Sequence, residues 1–135
     1  LHEQPFTPMR IVTTTGQTVK PMFLDGAAAT AVIPTDMTWA FHIVVVARTV
    51  GKVAAAWEIK GAINNNAGTV ALVSAITTTL IAADAGITGS WGVAGNVAVV
   101  ADNVDKSLRI NVAATVDTAT TVRWLATGRI TEVGY

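Results

Sequence analysis

Two histidines, three serines, nine carboxylates and no cysteine bound the chemistry open to this 135-residue chain. His42 stands inside TWAFHIVVVAR (38–48), the most apolar stretch of the sequence, which Arg48 closes. As a general base His42 needs a nucleophile, but Ser74, Ser90 and Ser107 lie in no G-x-S-x-G turn of the kind that presents a serine to substrate. One internal histidine, with no H-x-H or H-x-x-x-H spacing around it, cannot build a multi-histidine zinc site. The lack of cysteine removes thiolate ligands, thiol nucleophiles and disulfides together. His42 therefore reads as a structural or interface histidine.

The loop ADNVDKS offers Asp102, Asn103 and Asp105, oxygen ligands near enough in sequence to meet one calcium ion, but without the glycine and distant glutamate of a twelve-residue calcium loop. A hairpin turn whose Asx side chains bind their own backbone is the preferred reading. Carboxylates paired for glycoside cleavage need only meet in space at about 5–10 Å; with Asp25, Asp84, Asp102 and Asp105 all in apparent turns, no pair stands out. Trp91 sits among glycines in GITGSWGVAGN, either as a stacking platform for a sugar ring or as the first core residue of a strand; the second is preferred. No phosphate-binding glycine loop and no N-x-[ST] sequon occurs. The expectation is a protein that is not an enzyme, with no catalytic, cofactor-binding or metal-binding residue, and Trp91 as the one weak candidate for ligand contact.

The elements that would carry these residues have a period of two. In 38–48, Trp39, Phe41, Ile43, Val45 and Ala47 share one face, and Thr38, Ala40, His42, Val44, Val46 and Arg48 the other. Trp57, Ile59, Gly61 and Ile63 alternate with Glu58, Lys60, Ala62 and Asn64. Leu108, Ile110 and Val112 alternate with Arg109, Asn111 and Ala113, and Val122, Trp124 and Ala126 with Arg123, Leu125 and Thr127. Turn formers separate these runs at Asp25-Gly26, Pro34–Asp36, Gly51-Lys52, the Asn64–Asn66 triplet with Gly68, Gly86–Gly89, Asp102–Asp105 and Asp117. Only 28–32 and 74–86 have any helical character, and the β-branched Thr and Ile of the second point to strand. The spacing predicts an all-β, antiparallel β-sandwich of jelly-roll-like type in a single domain, with Trp39, Phe41, Trp57 and Trp124 as core anchors. Residues 1–17 read as an N-terminal arm or linker able to supply a first strand, and 18–135 as the sandwich. A hairpin about Gly51-Lys52 that keeps core faces together can place Arg48 across from Glu58 on the outer face.

Composition narrows the function classes. Hydrophobic residues make up 51% and charged residues 13%, too apolar for a disordered chain and for a domain wetted on every side, so a covering partner is expected. Nine Lys+Arg balance nine Asp+Glu, leaving no basic field for a phosphate backbone; nucleic acid is not an expected partner. No apolar run is longer than that of Ile43–Ala47, which is too short to cross a bilayer as a helix, so no membrane insertion is expected. Leu1 in place of an initiator Met suggests a processed product or a piece of a longer chain.

Four segments in order, MFLDGAAATAVIPTDMTWAFHIVVVARTV, AAAWEIKGAINNNAGTVALVSAITTTLIAAD, SWGVAGNVAVVADNVDKSLRINVA and TTVRWLATGRITEV, resemble a β domain near the C-termini of bacteriophage tail-fibre and tail-spike proteins. The resemblance runs from about residue 18 to 134, and FLDG, TWAFHIVVVAR, EIKGAI and VRWLATGRITEV are its most specific pieces. It implies a virion structural protein, homotrimeric, capping or decorating an elongated appendage beside other virion proteins and contributing to attachment to a host glycan or protein. It brings no catalytic residue and no cofactor. Thr49 departs from the pattern, where a second arginine is frequent, and the loop Val50–Ala54 is short and nearly uncharged. A head-decoration or head-fibre protein would use the same sandwich with LHEQPFTP as a tether, and a carbohydrate-binding module or glycan hydrolase would instead show aromatics around a groove. On the outward parity Ala40, His42, Val44, Val46 and Leu125 form the apolar stripe expected to meet the other subunits, where protonation of His42 would weaken association.

Overall fold

In a computed structural model, residues 2–13, 20–24, 28–49, 53–84, 97–112 and 122–134 are described; they form strands and turns, with no helix among them. Alternation of branched apolar with polar side chains gives the backbone two unlike faces, and burying one face of each sheet against the other is the simplest way to satisfy it. The large sheet contains β1 (His2–Thr13), β4 (Met37–Thr49), β5 (Ala54–Asn66), β6 (Thr69–Leu72), β7 (Thr77–Ala83) and β10 (Val122–Gly134). Its order is β1-β10-β4-β5, with β6 and β7 sharing the far edge of β5. The small sheet is built on β9 (Ser107–Val112): β8 (Val97–Asp102) pairs along its length, and β2 (Lys20–Pro21) and β3 (Ala31–Val32) pair with its two ends. All pairings are antiparallel, and the two sheets share one core.

The expected parity holds. Trp39, Phe41, Ile43, Val45 and Ala47 of β4 are buried, as are Trp57, Ile59 and Ile63 of β5, Leu108, Ile110 and Val112 of β9, and Val122, Trp124 and Ala126 of β10. Of residues 74–86, whose β-branched composition predicts strand, 77–83 form one while 74–76 and 84 do not and 85–86 lie outside the described residues; Ala31–Val32 are strand within the stretch 28–32. At the centre, large and small residues alternate across three strands: Trp124 faces Ala47, which faces Ala55, and Ala126 faces Val45, which faces Trp57. The alanines leave room for the two indoles to reach over β4 and stack, their centroids 5.4 Å apart at 29°.

Two details differ from the sequence-based expectation. The β4–β5 hairpin keeps odd residues opposite odd ones, but Arg48 faces Ala54 and Glu58 faces Val44. The Thr49 N–H donates to the Val53 carbonyl, so the ladder runs right up to the turn and the register moves by four positions from the expected Arg48–Glu58 pairing. Asn64–Asn66 belong to β5 itself; the turn is Ala67-Gly68, both with positive φ, the two-residue type that matches strand twist. Buried Asn65 explains why polar residues persist there: its amide donates to the Ile33 carbonyl and its Oδ1 accepts from Gly68 N–H. The N-terminal segment, read as an arm or linker able to supply a first strand, contributes β1, which pairs with β10 from His2↔Glu132 to Thr13↔Val122 with a register shift between Phe6 and Met9.

Candidate functional site

The outward face of the large sheet carries every residue singled out for an interface. Leu125 on β10 lies directly opposite Val46 on β4, and Val44, His42 and Ala40 follow along β4 on the same parity. Leu125 is 44% and Val46 45% exposed, with Ala40 and His42 also exposed and Val44 half-buried. Their placement follows from the core. With Trp39 to Ala47 and Val122 to Ala126 locked inward, the intervening side chains have no orientation left but outward.

Charge is unevenly spread over this face. His42 Nε2 lies 2.9 Å from Glu58 Oε2, and Lys60 Nζ lies 3.4 Å from the other oxygen of the same carboxylate. The hydrogen bond from His42, helped by Lys60, holds the Glu58 carboxyl below its ordinary range. Protonation of His42 therefore adds a cation beside an existing counter-charge. In the next direction along β4 the balance ends: Arg48 stands directly opposite Arg123, both exposed, and no carboxylate pairs with either among the described residues.

The Asp102–Asp105 loop closes the β8–β9 hairpin as an Asx turn. Asp102 Oδ1 accepts the Val104 and Asp105 N–H groups at 2.9 and 3.1 Å, and its other oxygen pairs with Arg109. These backbone donors, with the nearby guanidinium, lower the Asp102 carboxyl below its usual range. Asn103 Oδ1 accepts from Val70 N–H, tying the turn to β6, and from Lys106 Nζ. Among the described residues no group of three or more His, Asp and Glu side chains is placed to share a metal ion. Ser107 is fully buried with its hydroxyl unpartnered, and Ser74 is exposed in a bend far in sequence from His42; Ser90 and Trp91 lie outside the described residues.

Two functional-looking contacts were invisible in the sequence. Trp39 Nε1 donates to Glu132 Oε2 at 2.7 Å, joining β4 to β10 at the end of the sheet, and Thr38 Oγ1 bonds Asn64 Oδ1 across the β4–β5 ladder. Both need the strand register before they can be seen.

No family model matches the chain, and no curated protein matches it. Among solved structures, 98% of the chain aligns with 22% of the crystal structure of the Acinetobacter phage vB_ApiP_P1 tailspike protein, at 8% identity and a TM-score of 0.37. The chain thus spans about a fifth of that protein's length.

Proposed function

We propose that this chain is a non-enzymatic structural domain of a bacteriophage virion, the tip or cap of a tail fibre or tail spike, carried on a jelly-roll-like sandwich. It trimerises through the outward face of the large sheet, sits beside other virion proteins and contributes to contact with the host surface. The observation that supports this reading best is the half-exposed Leu125–Val46 pair, continued by Val44 and Ala40, on a sheet whose other face is already fully occupied by core. Soluble monomers rarely leave such a stripe uncovered. The ordered sequence resemblance from residue 18 to 134 supports the virion assignment and three-fold rather than two-fold closure. Light scattering coupled to size exclusion at micromolar concentration is expected to give about three times the 14.0 kDa chain mass. A 14.0 kDa species would overturn the reading.

The absence of an enzymatic role has its own test. Incubation with a panel of bacterial surface polysaccharides is expected to release no reducing ends, because the sequence holds no serine elbow, no cysteine and no histidine cluster. Cleavage that disappears when two carboxylates are changed to amides would make the protein a glycoside hydrolase instead.

A further inference from the structure

The outward rows of β4, β5 and β10 carry Arg48, Lys60 and Arg123 against one carboxylate, Glu58, which His42 and Lys60 already engage. Because the chain as a whole is neutral, the rest of its surface holds the matching excess of carboxylates. Arg48 and Arg123 are the most exacting part of this pattern. Side chains directly opposite on antiparallel strands lie about 5 Å apart at Cβ, where like charges destabilise the pair. Their register row continues to Val12 on one side and to Ala54 on the other, so neither adjoining position is an acid; Asp84 follows beyond Ala54, to whose carbonyl its N–H donates, and Arg10 occupies the register position beside Leu125. Two guanidinium forks side by side are well formed to grip a carboxylate. One step along the strands lies the apolar Leu125–Val46 pair.

A two-fold contact that set this face against its own copy would bring cations to cations. A head-to-tail contact brings the face against the acidic remainder of the next chain, and head-to-tail contacts are what build rings. Asp36 and Asp105 are the exposed aspartates off this face among the described residues. Asp105 adjoins Val104, which at 90% is the most exposed large apolar side chain among the described residues. Its own ion pair, to Arg109 Nη2 at 3.4 Å, is long and leaves acceptor capacity free. The Asx turn of Asp102 and the Asn103 bond to β6 hold this tip in place, so little entropy remains to be lost on docking.

We propose that the β8–β9 tip of one copy docks head-to-tail on the large sheet of the next, with Val104 against Val46 and Leu125 and the Asp105 carboxylate between Arg48 and Arg123. This rests on the self-association reading above and adds the mating surface to it. Two variants, R48E/R123E and V104D/D105K, are prepared and checked by circular dichroism for parental fold, with R48Q/R123Q and D105N as milder versions should either fail to fold. Each variant alone is expected to run as a monomer by light scattering at the concentration where the parent is assembled. Mixed one to one, they are expected to form a species of about two chains and no more, since one partner keeps an intact tip and the other an intact face. An assembled parent whose tip variant assembles equally well would overturn the head-to-tail contact while leaving self-association standing. A monomeric parent would overturn both, and retardation of that monomer by polygalacturonate, lost in R48Q/R123Q, would reassign the arginine pair to an acidic glycan.

Discussion

Replacing Trp57 with alanine is expected to lower folding stability by about 3–5 kcal/mol, the range for removing a buried indole from a packed core. Trp57 has no exposed surface, and its loss would leave Trp124 without its stacking partner. The residues around it cannot close the gap easily, because Ala47, Ala55 and Ala126 are already the small members of the central checkerboard and belong to backbones fixed by the sheet. Against the 5–15 kcal/mol stability of an ordinary domain this is a large fraction. Urea unfolding followed by tryptophan fluorescence and circular dichroism reads it directly, and an unchanged midpoint would show that Trp57 is not in the core.

Changing Gly128 to alanine is expected to be nearly as damaging for a different reason. A Cβ at this position would lie 2.2 Å from the His42 carbonyl oxygen and 2.9 Å from the Ile43 Cα. Both obstacles are backbone, so no side-chain rotation relieves the clash; β10 and β4 must part where Gly128 pairs with Ile43. Overpacking of this kind costs about 1–3 kcal/mol and more where the backbone cannot give. The measurement is the same denaturant midpoint, joined by amide hydrogen exchange. Faster exchange confined to β4 and β10 around His42 and Gly128 is expected, and parental exchange there would refute the close approach.

The inward and outward parity of β4, β5, β9 and β10 was legible because those strands alternate branched apolar with polar residues, and so was the common burial of three tryptophans. The same parity puts Ala40, His42, Val44, Val46 and Leu125 on one face from the sequence alone. Registry between strands was less legible. Arg48 and Glu58 have the right charges to pair, yet the hydrogen bond closing the turn at Thr49 and Val53 decides which residues meet. The Arg48–Arg123 juxtaposition runs against charge complementarity and so could not be guessed from it. β1 had little signal either: His2, Glu3, Gln4 and two prolines do not read as a strand, and its place comes from the free edge of β10. Asn65 looked like a turn residue because composition does not reveal a buried amide whose partners are backbone groups from two other loops.

The position of β10 in the large sheet also governs how the chain can acquire its structure. β4, β5 and β6 follow one another as hairpins and can zip locally, but β10 reaches β4 only across the whole intervening sequence from Thr49 to Val122, and β1 then pairs with β10 from the other extremity. Closing such distant segments loses chain entropy before any contact rewards it, which puts refolding in the slow class, of order milliseconds to seconds. During that interval the edge of β4 is unpaired and Trp57 has no Trp124 to cover it. An apolar strand edge in that condition is a template for the wrong chain. During synthesis the hazard lasts until Val122–Gly134 has been made and has emerged from the ribosome, because only then can β10 cover the edge of β4.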